Sequence, residues 1–103
     1  MILYSITVNI DHQVHEEWLH WMRTQHVPEI MATGLFVEKK ILRLLNEFDN
    51  GGITYSFQYY LKSMEDYIRY ENDHASRLQV AHAKKYDGKF VTFQTLLEVV
   101  DDY

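Results

Sequence analysis

The chain predicts an α+β domain: a four-stranded antiparallel sheet with two helices on one face. Three observations carry this. Apolar and polar residues alternate with a period of two at the beginning, middle and end of the sequence, and two segments between them repeat apolar residues at helical spacing. Gly, Pro, Asn and Asp residues punctuate the boundaries. At 103 residues, one domain spanning 1–103 is expected, since such a chain buries about two-thirds of its unfolded surface in a single core.

The first strand places Ile2, Tyr4, Ile6, Val8 and Ile10 on one face and Ser5, Thr7 and Asn9 on the other. Asp11 then caps a helix whose stripe is Val14, Trp18, Trp21, Met22 and Gln25. Pro28 lacks a backbone donor and biases Val27 away from helix, so this helix should stop or kink near His26 and a short turn restart at Pro28, closed by Gly34. A second strand is expected over about Leu35 to Leu45. Asn50-Gly51-Gly52 makes a hairpin into a third strand alternating through Ile53, Tyr55, Phe57, Tyr59 and Leu61. Ser63 with Asp66 resembles a capping box for a second helix with the stripe Met64, Tyr67, Ile68, Ala75 and Leu78, running to about His82. Tyr86-Asp87-Gly88 turns the chain into a last strand, Phe90 to Val100.

The order βαββαβ is the ferredoxin-like arrangement, with two crossovers around one hairpin. In strand two, Leu35, Val37 and Ile41 oppose Phe36, Leu42 and Leu44; in strand four, Val91, Phe93, Leu97 and Val99 oppose Phe90 and Leu96. A sheet open to water on one side alternates cleanly, so apolar residues on both faces predict that the second face is covered. A twin subunit is the economical cover, giving a homodimer through the open sheet face.

Composition excludes several function classes. Cysteine is absent, which rules out disulfides, thiolate zinc sites and a thiol nucleophile, and fits a cytoplasmic protein. Ten basic against fifteen acidic residues argue against a nucleic-acid surface. The N-terminus reads as a strand and not a signal peptide, and no apolar run approaches the roughly 20 residues of a membrane span. Six histidines show no metal-ligand spacing, and no phosphate loop, nucleophile elbow or paired-carboxylate pattern appears. No metal or cofactor is expected.

The stretch from Trp21 to Phe36, with His26-Val27-Pro28-Glu29 and Thr33-Gly34-Leu35-Phe36, together with Gly88-Lys89-Phe90-Val91, resembles a family of short bacterial proteins catalogued as an uncharacterised domain. That family looks like part of the dimeric α+β barrel superfamily, which includes antibiotic-biosynthesis monooxygenases, haem-degrading enzymes, muconolactone isomerases and EthD-like proteins. The resemblance implies the fold and a dimer, not a reaction. EthD-like relatives also carry histidine then proline after their first helix. Haem-degrading members use a late-second-helix histidine and a first-strand asparagine; His82 and Asn9 are loosely comparable, but the second helix has no tryptophan.

His26 leads the candidate residues: beside an aromatic helix and a proline break, it could act as a general base or a donor in a cleft, or bond a backbone carbonyl and fasten the kink. Glu29 reads as a solvated partner of the helix dipole. Trp21, with Trp18, forms either an aromatic wall or core. Tyr55 and Tyr59 supply phenols to a pocket or to a hydrogen-bonded core. The helical angle places Glu71 and His82 within the apolar stripe, about 16 Å apart along the axis. Each therefore needs its own partner or a cavity. The composite expectation is a small homodimeric binding or regulatory module for a small apolar or aromatic molecule. The alternative is a cofactor-independent monooxygenase or isomerase with His26 as base or donor.

Overall fold

The computed structural model describes residues 1–46 and 51–101. Strands β1 (Ile2–Asp11), β2 (Glu38–Arg43), β3 (Gly52–Leu61) and β4 (Phe90–Glu98) form one antiparallel sheet in the order β2-β3-β1-β4. Register explains which strands are central. Ile6 lies opposite Phe57 on one side and Gln94 on the other, so the alternating apolar sets of β1 and β3 share the helix-covered face. Tyr4, Val8, Ile10, Tyr55, Phe57, Tyr59 and Leu61 are all buried there. The edge strands β2 and β4 are mostly exposed.

Between β1 and β2 run a 3₁₀ turn (His12–Val14), α1 (His15–Trp21), a π-helical segment (Met22–His26) and α2 (Val27–Met31). Asp11 caps the start by accepting a 2.7 Å hydrogen bond from the Gln13 N–H. The helix does not stop at His26. Instead it widens by one residue per turn, the Val27 N–H reaching the Met22 carbonyl, and continues through Pro28. The physical reason lies in the proline: its ring collides with the carbonyl four residues earlier in a regular α-helix, and a π-turn relieves that collision. The wider turn also shifts the buried stripe. Gln25 is exposed, and Met22, His26, Val27 and Ile30 face the sheet in its place. Gly34, at φ 79°, ends the segment with its N–H on the Met31 carbonyl.

The second strand is shorter than Leu35 to Leu45, although backbone pairing with β3 extends to Val37 and Leu44. Phe36 leaves the alternation altogether: it turns inward before β2 starts and packs against Tyr4, Tyr59 and Tyr70. Of the hairpin, Gly51 has φ 90° and Gly52 opens β3, while Asn50 lies outside the described residues. Ser63 caps the next helix through the Asp66 N–H. That helix comprises α3 (Met64–Tyr70), a second π-helical segment (Glu71–Ala75) and α4 (Ser76–Lys85). Its stripe stands where expected at Ala75, Leu78 and His82, which are buried, and at Tyr67, which packs partly buried against the core; it departs at Met64 and Ile68, which are exposed, and at Tyr70, which is buried in their place. The wide turn again displaces the residues before it from those after it. β4 ends at Glu98, short of Val100.

The uncovered face of the sheet has a polar centre, Ser5, Thr7, Ser56 and Gln58, in the register set by β1 and β3. Apolar residues flank it. Val91, Phe93 and Leu97 on β4 and Leu42 on β2 are 71, 62, 45 and 42% exposed. No helix among the described residues is long and apolar enough to cross a membrane.

Candidate functional site

A cavity of about 210 Å³ lies between the two helical arms and the sheet. Ile6, Val8, Phe57 and Tyr59 form its floor, Met22, His26 and Ile30 one wall, and His82 the other. It opens between α4 and β4, where Gln79, Ala83, Thr92 and Gln94 are exposed. Among the described residues no charged side chain lines it. The cavity is slightly larger than one known to hold benzene, about 150 Å³, and below the roughly 300 Å³ where drug-sized ligand pockets begin.

Each histidine reaches the cavity for a local reason. His26 ends the π-turn, one wide turn after Met22, so both residues point at the sheet. His82 follows Leu78 by four residues on the inward stripe of α4. Their ring centroids are 5.6 Å apart. Burial holds His26 neutral, lowering its pKa to about 4, with His82 as a second cause. Burial lowers His82 to about 4 as well. The His26 Nδ1 is sealed from solvent without a hydrogen-bond partner, so the cation, which needs both ring nitrogens as donors, is penalised further. Nε2 is then the nitrogen that a molecule in the cavity can meet. Trp18 donates its indole N–H to His82 Nε2 at 2.9 Å within the core.

The residues singled out from sequence separate into four places. His26, His82 and Tyr59 line the cavity together, and burial raises the Tyr59 phenol far above its ordinary pKa. Trp21 stands behind His26, stacked on it at 4.9 Å and covered in turn by the Lys85 ammonium at 5.7 Å. It shields the imidazole. Tyr55 lies on the far side of Trp18, its hydroxyl 2.6 Å from His15 Nε2, and faces a separate groove with Leu19, Arg23, Lys39 and Ile41. Glu71 is away from both: it accepts the Tyr67 hydroxyl at 2.9 Å, and Tyr67 is pushed up to about 12 by burial and by that carboxylate.

The mouth residues Gln79, Thr92 and Gln94 are not among the sequence candidates, although Thr92 and Gln94 share the parity of Phe90 on β4. That parity was the available signal. Among the described residues no group of three or more His, Asp or Glu side chains is placed to hold a metal ion.

Among curated proteins, none matches the chain in sequence. Solved structures share its fold at low identity. A dimeric ferredoxin-like protein from an uncultured marine organism is 14% identical, with TM-score 0.72, covering 100% of this chain and 98% of the other. MhuD, in a structure with two manganese protoporphyrin IX per active site, is 13% identical with TM-score 0.69, covering 100% and 98%. SnoaB, a cofactor-independent oxygenase from Streptomyces nogalater, is 12% identical with TM-score 0.67, covering 98% and 95%. At such identities the likeness shows the fold alone. Residues 1–100 match a family model described as a domain of unknown function (DUF4286), and the chain belongs to that family.

Proposed function

We propose that this chain is a small-molecule-binding module that holds a neutral, compact apolar or aromatic ligand in the cavity beside His26 and His82. The carrying observation is the lining: an apolar chamber with two buried neutral imidazoles and no charged side chain among the described residues. An ionic ligand would lose its hydration there without gaining a counter-charge. The cavity's size supports one or two fused rings. The alternative, an oxygenase or isomerase with His26 as general base, is less favoured by the same geometry. A base with a pKa near 4 is poorly matched to proton abstraction at neutral pH.

The module works as a homodimer through the open sheet face. Supporting this are the exposed Val91, Phe93, Leu97 and Leu42 on that face, together with a fold shared with proteins described as dimeric. A cytoplasmic setting fits the lack of cysteine.

Thermal-shift measurement with indane tests the binding function. Saturating indane should raise the melting temperature of the protein, and Ala83→Trp, which fills the mouth, should abolish the rise while leaving the unliganded protein folded. An equal rise in both proteins would place the ligand elsewhere.

A further inference from the structure

The Trp18–His82 contact fixes more than packing. An indole N–H is only ever a donor, so His82 Nε2 must be the acceptor and the ring proton must sit on Nδ1. Trp18 is fully buried, so water cannot compete for its N–H, and surrendering this bond would leave a buried donor unpaired. His82 is therefore held in one tautomer. His82 lines the cavity, and the ring nitrogen that Trp18 leaves free carries N–H and not a lone pair.

His26 reaches the same state by another route. Its Nδ1 is sealed without a partner, and an orphaned buried N–H is rarer than an under-satisfied acceptor. The proton accordingly favours Nε2, the nitrogen left to the cavity. Two neutral imidazoles whose rings lie 5.6 Å apart thus both present donors. The rest of the chamber is apolar apart from Tyr59 and the mouth residues Gln79, Thr92 and Gln94.

We propose that the ligand is a neutral cyclic carbonyl compound whose acceptor oxygen meets the N–H groups of His82 and His26, and that Trp18 determines this specificity by locking the His82 tautomer. This rests on the binding function proposed above and narrows it to a ligand class. Hydrocarbons of the same shape leave both donors unpaired. Carboxylates find no counter-charge. Trp18 is a positioning residue, because it acts through His82 and does not line the cavity.

The experiment compares indane, indanone and indanol, measured by calorimetry on the wild-type protein and on Trp18→Phe. Indanone should bind at least about fivefold tighter than indane, the gain of a neutral hydrogen bond. In Trp18→Phe, which keeps an aromatic ring and removes the donor, that preference should shrink and indanol should gain relative to indanone. A mere packing defect would lower all three affinities together and overturn the role given to Trp18. Equal binding of indane and indanone to the wild-type protein overturns the carbonyl specificity while leaving the cavity's function intact; absence of binding by all three overturns both. Should Trp18→Phe fail to fold, nitrogen NMR of the wild-type imidazoles decides: the His82 proton is expected on Nδ1, and a proton on Nε2 would refute the lock.

Discussion

Neutrality of His26 and His82 is imposed by burial, and it has a thermodynamic consequence. Both imidazoles titrate near 4 in the folded protein and near 6.5 when unfolded. Between those values the unfolded chain binds more protons, so stability rises with pH; it is complete above the unfolded pKa and is lost as pH falls from about 6.5 towards 4. Each imidazole should remove roughly 2 kcal/mol of stability between pH 7 and pH 5. Urea unfolding at the two pH values measures this. His26→Leu should remove about half of the dependence, leaving the His82 share, and an equally steep profile in that variant would show that other groups carry it. His15, lowered first by burial and then by Arg43, acts in the same direction. At this scale His26 was legible as the residue to watch, because it stands beside a proline break, but its inward direction was not. A strict 100° periodicity points Gln25 at the sheet, and only the extra residue in the π-turn exchanges it for His26.

Elements were more legible than their interruptions. Strand alternation and the Ser63 cap are local properties of sequence, so β1, β3 and the start of α3 stand where the pattern puts them. The first π-turn accompanies Pro28, the second has no proline near it, and in both the hydrogen bonds reach five residues back, which a residue-by-residue angle does not represent. Phe36 shows the same limit: parity assigns it to a strand face, whereas the aromatic cluster of Tyr4, Tyr59 and Tyr70 draws it inward. Two glycines separate backbone strain from crowding. At Gly34 a Cβ would meet nothing within 4 Å, so Gly34→Ala should cost only the left-handed backbone penalty, about 1 kcal/mol. At Gly52 a Cβ would lie 2.7 Å from the Ile10 carbonyl oxygen and closer still to the Asn9 side chain, so Gly52→Ala should cost about 2–3 kcal/mol. Denaturant midpoints of the two variants check the ranking, and equal losses would contradict the crowding at the start of β3.

For the whole molecule, the sheet has one face closed by helices and one face whose apolar flanks are open to solvent. The proposed dimer covers those flanks. Sedimentation at micromolar concentration should give a dimer, and Phe93→Asp, which sets a charge on the most exposed aromatic of that face, should give a folded monomer; a monomeric wild-type protein would contradict the interface. The covered face holds the cavity proposed to bind a small neutral ring system. Methyl and imidazole NMR during titration with indane reads occupancy of that cavity residue by residue. Shifts should be confined to methyl groups of Ile6, Val8, Met22, Ile30, Ala83 and Thr92 and to the imidazoles of His26 and His82; shifts confined to Leu19 and Ile41 in the other groove, or none at saturation, would contradict binding in this cavity.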